Sequence, residues 1–111
     1  MNKRPYHNRD EIAPLVYALL SIHAVGRDNA KKARFFMQEL QKLGFNINIH
    51  TMRQILRDHP RAGILDGNVN GGYYLITTRD EARQTANALE ERARKLNDRA
   101  ATLRKLFDIT Q

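Results

Sequence analysis

With 111 residues, 41% apolar and 28% charged, the chain has the size and composition of a single soluble domain with a modest core. It holds no cysteine, which excludes disulfides and thiolate chemistry, and no apolar run approaches the roughly 18 residues that a membrane span needs. Nineteen Lys and Arg against twelve Asp and Glu give a net charge of +7, and residues 1–78 carry eleven basic and six acidic side chains where 79–111 carry eight and six. That surplus favours a polyanionic partner, and it assigns the partner to the N-terminal part.

The start, Met1 to His7, is basic and leads into no signal-type apolar segment, which points to a cytoplasmic protein with a basic arm over residues 1–9. Ile12, Leu15, Val16, Leu19, Leu20 and His23 then share one helical stripe, so a first helix is predicted from Asp10 to about Ala24. Pro14 is acceptable there because it falls near the helix start. Gly26 to Asn29 breaks the pattern. A second helix is predicted from Asn29 or Ala30 to Leu43, with Ala33, Phe36, Met37, Leu40 and Leu43 inward and Gly44 as its positive-φ cap. Phe45 to Ile49 alternates apolar and polar residues and reads as a short strand. A third helix, His50 to His59, buries Met52, Ile55 and Leu56 and ends at Pro60.

Ala62–Leu65 and Gly72–Thr77 are two β-rich runs around the turn sequence Asp66 to Gly71, which predicts a hairpin with a polar tip. Tyr73 and Tyr74 alternate faces, so one is expected in the core and the other half exposed. Arg79 to Phe107 contains no Gly or Pro and is predicted as one helix about 43 Å long. Thr78 is its expected N-cap, with Glu81 completing a capping box.

The order helix, helix, short strand, helix, hairpin is that of a winged helix-turn-helix. The expected fold class is therefore mainly α with a small β-hairpin: a winged helix over 10–78 and a long C-terminal helix over 79–107. Opposite its buried side, the third helix offers His50, Thr51, Arg53, Gln54 and Arg57. Arginine can fork onto guanine and glutamine onto adenine, while threonine can meet a phosphate or a thymine methyl. Arg61 at the hairpin base and Asn68 and Asn70 at its tip are placed to reach the backbone or minor groove. These residues form the expected site for double-stranded DNA.

The run Thr51-Met-Arg-Gln-Ile-Leu-Arg, followed after the hairpin by Gly72-Tyr-Tyr-Leu-Ile-Thr-Thr-Arg-Asp-Glu-Ala and a long charged helix, resembles small winged-helix proteins of phages and prophages. The layout is also similar to PadR-type transcriptional regulators. The resemblance spans about residues 12–105, with Gly72–Glu81 as its sharp motif. It implies DNA binding by the third helix and the wing, in a regulator or a phage replication or recombination accessory. The alternative reading is a protein-interaction module, such as a phage-encoded inhibitor of a host or defence complex, because winged helices also bind proteins.

The C-terminal helix carries an unbroken heptad seam: Ala86, Ala93, Ala100 and Phe107 at one position and Leu89, Leu96 and Leu103 at the other. It predicts a homodimer. A parallel pair faces Arg99 with Arg104, which favours the antiparallel arrangement. The competing reading folds this stripe back onto the first helix. The four histidines show no metal-ligand spacing, and His23 reads as a helix-end residue. The 66–71 loop has neither calcium-loop nor phosphate-loop spacing. No metal, cofactor or catalytic set is expected, and the chain reads as a non-enzyme.

Overall fold

A computed structural model describes residues 9–65 and 71–109, with no side chain for Arg9. Residues 1–8 of the expected 1–9 arm and the hairpin tip with Asn68 and Asn70 lie outside the described residues; Arg9, expected in the arm, instead begins the first helix. The elements in chain order are α1 (Arg9–His23), a 3-10 turn (Arg27–Asn29), α2 (Ala33–Lys42), α3 (Ile49–Asp58), β1 (Ala62–Leu65), β2 (Gly72–Leu75) and α4 (Arg79–Leu106). Four helices and a small antiparallel hairpin make up the described chain, so the mainly helical class with a hairpin holds. Among the described residues no helix is long and apolar enough to cross a membrane.

The predicted stripes converge on one core, except for Leu43, which is expected inward but is 62% exposed because it is the C-cap beyond the last turn of α2. Ile12, Val16 and Leu20 from α1 meet Phe36 and Leu40 from α2, Met52 and Leu56 from α3, and Tyr74 from β2, all essentially inaccessible to solvent. Gly44 ends α2 with φ at 95°, the left-handed conformation that a residue with a Cβ adopts only at a cost.

The expected strand over Phe45–Ile49 does not form. Asn48 instead caps α3, its side-chain oxygen accepting the Thr51 N–H at 2.8 Å, and Ile49 is already helical. The outer edge of β2 is not open to that segment, because a different stretch of chain occupies it. Val25 pairs parallel with Leu75 and Lys31 antiparallel with Tyr73. Lys31 and Tyr73 exchange both backbone hydrogen bonds, at 2.9 and 2.8 Å. This pairing holds Lys31 extended and delays α2 to Ala33, later than the predicted Asn29 or Ala30.

β1 and β2 pair in the register Ala62↔Leu75, Gly63↔Tyr74, Ile64↔Tyr73 and Leu65↔Gly72. β2 is shorter than the predicted run to Thr77, since the Thr77 N–H turns to the Glu81 carboxylate. Both tyrosines are buried, against the expectation of one half-exposed ring. The cause is the central position of β2, between β1 and the 25–31 segment. Gly63 lets the Tyr74 ring lie flat across β1: a Cβ there would sit 2.3 Å from that ring.

α4 starts as predicted, with the Thr78 hydroxyl accepting the Glu81 N–H. Thr78 is only the weakest of the backbone partners of the Glu81 carboxylate. That carboxylate accepts the Thr77 N–H at 2.9 Å and the Arg27 N–H at 2.8 Å, tying the start of α4 to the 3-10 turn. These bonds, Thr77 first, hold the Glu81 carboxyl below its ordinary value. Thr85 is the buried residue of α4, and its Oγ1 accepts the Ile64 N–H at 3.2 Å.

Candidate nucleic-acid interface

α3 has two sides of different chemistry. Met52, Ile55 and Leu56 are buried, and they fix the helix to α1, α2 and the hairpin. At 100° per residue, His50, Arg53, Gln54 and Arg57 fall within an arc of about 100° on the opposite side. All four are exposed. Thr51 sits at the margin of this arc, half-buried, with its N–H held by Asn48.

The charges on this arc are uncompensated. Among the described residues, neither Arg53 nor Arg57 has an ion-pair or hydrogen-bond partner. α4 differs. There Arg83 pairs with Asp80 at 2.9 Å, and Arg94 bonds both Glu91 and Asp98, the latter at 3.1 Å. Arg94 holds the Glu91 carboxyl below the usual carboxylate range. Exposed pairs three and four apart on a helix neutralise one another locally, so they leave little field for a distant anion.

Arg61 is exposed at the start of the hairpin, as expected, but it faces α1 and not the arc on α3. Its guanidinium carbon lies 5.9 Å from the centre of the Tyr17 ring, and that ring stacks at 6.4 Å on His59. His59 is in turn fixed at both nitrogens. Its Nδ1 accepts the Arg61 N–H at 3.1 Å, and its Nε2 lies 3.4 Å from the Ala13 carbonyl oxygen. Both contacts are satisfied together by the neutral ring with the proton on Nε2. Burial lowers the His59 pKa, with the Arg61 charge adding to the effect. The Tyr17–His59–Arg61 row joins residues 44 positions apart, and no local pattern in the sequence marks it. Lys32 and Arg34 open α2 with no side-chain cap and no acidic residue in the first turn, a second basic feature that the periodicity did not single out.

His23 is the last residue of α1, with its ring edge-to-face on Phe35 at 5.1 Å, in keeping with a helix-end role. Among the described residues no group of three His, Asp or Glu could hold a metal ion. A cleft of about 130 Å³ lies between α1 and the end of α3, lined by Asp10, Ala13, Ile55, Asp58, His59 and Pro60. That is well below the roughly 300–1,000 Å³ of small-molecule pockets. Its two aspartates also give it the wrong sign for a phosphate.

No known protein family matches this chain, and neither curated proteins nor solved structures provide a significant match.

Proposed function

We propose that this chain is a winged helix-turn-helix protein that binds double-stranded DNA in a sequence-specific manner, with α3 as the helix that enters the major groove. The observation that carries this reading is the exposed arc of His50, Arg53, Gln54 and Arg57, whose two arginines have no partner in the chain while the opposite side of α3 is anchored in the core. A recognition helix needs that division, since base edges are read by exposed side chains on a rigidly held element. The element order supports the same reading: α1, an extended segment touching β2, α2, α3, then the hairpin as wing. The hairpin base with Arg61, and the basic start of α2 with Lys32 and Arg34, supply phosphate contacts that fix register. The role that follows is transcriptional regulation, or an accessory function in phage replication or recombination.

Selection of bound fragments from random duplexes, carried out at two salt concentrations, tests this. The expected result is one enriched motif that persists at the higher salt, together with an affinity that falls steeply as salt rises. Salt-dependent binding with no enriched motif would reduce the arc to a non-specific phosphate contact. No binding at low salt would remove the reading altogether.

A further inference from the structure

α4 continues far beyond the domain that it leaves. Its contact with that domain runs along the stripe Glu81, Thr85, Ala88 and Arg92, which is buried or half-buried and rests on β1. The heptad seam is a separate stripe, about 70° around the helix. Leu89, Leu96, Leu103 and Phe107 on it are 41, 63, 44 and 70% exposed. The seam therefore does not fold back on α1, and the competing reading from the sequence fails for that reason. The outer side of the same helix is occupied by the Arg94 bonds to Glu91 and Asp98.

We propose that the seam is covered by a second copy of this chain, with the two α4 helices antiparallel and Leu89 of each copy opposite the partner's Phe107. Two observations select this geometry. The first is residue size. Ala and Leu alternate along the seam, so a parallel pair sets Ala against Ala and Leu against Leu in alternately thin and thick layers. An antiparallel pair sets Leu96 against the partner's Ala100 and Leu103 against the partner's Ala93, which gives layers of even thickness and close helix approach.

The second observation is charge. With Leu89 opposite the partner's Phe107, Glu90 lies beside the partner's Arg104 at both ends of the pairing. Moving the register by one heptad, so that Leu89 meets the partner's Ala100, sets Glu90 beside the partner's Asn97 and removes both opposite-charge pairs. The parallel pair sets Arg99 against the partner's Arg104. In the proposed register a single like pair remains, Arg99 with its own copy at the two-fold axis. The overlap runs over residues 89–107, on a different stripe from the docking residues Thr85, Ala88 and Arg92. This pairing is independent of the DNA reading, and either can fail alone.

The chain has no cysteine, which makes directed crosslinking unambiguous. Leu96→Cys and Ala100→Cys proteins, mixed and oxidised as full chains, are expected to form mainly the disulfide between the two different variants. Bridging requires Cα atoms within about 7 Å, which only facing layers provide. Disulfides within each variant alone would overturn the antiparallel arrangement. Sedimentation supplies the second measurement. Glu90→Arg and Arg104→Glu should each weaken the wild-type dimer about tenfold, and the two together should return it to within about threefold. Those residues are too far apart within one helix to touch, so restoration reports a contact between copies. A double variant no stronger than the singles would overturn the register, and a wild type that sediments as a monomer at high micromolar concentration would overturn the pairing.

Discussion

α3 and α4 are both amphipathic, both rich in arginine and both exposed on one side, yet they combine apolar and charged residues in opposite ways. In α3 the apolar side is wholly used by the core, and the arginines on the other side are left without partners. In α4 the arginines of the outer side are bonded to acidic neighbours three and four residues away, and the apolar side beyond Thr85 is left open. An unpartnered charge on an anchored helix is available to a polyanion, and an open Leu row opposite paired charges is available to another apolar helix. Net charge alone does not separate these two cases. The pairing of each charge does.

The largest effect that separates the two helices comes from one substitution made in both. Leu56 is fully buried on α3, which packs on α1, α2 and β1, so Leu56→Ala should lower unfolding free energy by about 2–5 kcal/mol. Leu103→Ala, on the open seam, should change it by no more than about 0.5 kcal/mol in dilute protein, where no second copy contributes. Denaturant melts of both variants measure this directly, and equal losses would mean that the seam packs within one chain. The arginines give the complementary contrast. Arg53→Ala and Arg57→Ala should each weaken binding to the selected duplex by about 1–3 kcal/mol without loss of fold. Arg94→Ala, which removes an arginine bonded along its own helix, should leave duplex affinity unchanged. Anisotropy titrations that rank Arg94 with Arg53 would show that bulk charge, and not the α3 arc, determines binding.

Much of this contrast was legible in the sequence, because it rests on local spacing. The α3 division follows from Met52, Ile55 and Leu56 at helical intervals, the α4 seam from a seven-residue repeat, and the α4 start from Thr78 and Glu81. What could not be read depends on pairing between distant segments. Phe45–Ile49 has the alternation of a strand yet joins no sheet, whereas Val25 and Lys31 lack any such pattern and still join β2 through backbone bonds that are indifferent to side chains. The buried state of Tyr73 follows from that same pairing. The direction of Arg61 depends on a tyrosine in another helix, so its charge was visible and its orientation was not.

A smaller effect tests the joint between the two regions. Thr78→Ala removes the hydroxyl that accepts the Glu81 N–H, and loss of such a cap costs about 1 kcal/mol. The Glu81 carboxylate also bonds Thr77 and Arg27, so loss of the cap should loosen the attachment of α4 while leaving the α3 arc intact. Amide exchange should therefore quicken at Arg27 and over the first turns of α4, and not in α3. Equal acceleration in α3 would mean that the two helices open as one unit.

The smallest expected effect is one of pH, and it concerns the row that steadies Arg61. In the folded chain the His59 pKa lies below the ordinary histidine value of 6.5, mainly because the ring is partly buried. The unfolded chain therefore binds the proton more readily than the folded chain as pH falls past that value. The contribution of neutral His59 to stability is fully present above pH 6.5 and is lost as pH drops through the folded-state pKa. The chemistry agrees with the sign, since protonated Nδ1 can no longer accept the Arg61 N–H and the ring charge repels the guanidinium. The lowered Glu81 carboxyl follows the same rule in a separate window, below 4.5. Thermal melts from neutral to mildly acidic pH should thus show a modest decline in the wild type that His59→Gln lacks, with the fall below pH 4.5 kept in both. A His59→Gln profile that follows the wild type throughout would place the proton uptake at another residue and leave Arg61 without its pH-dependent support.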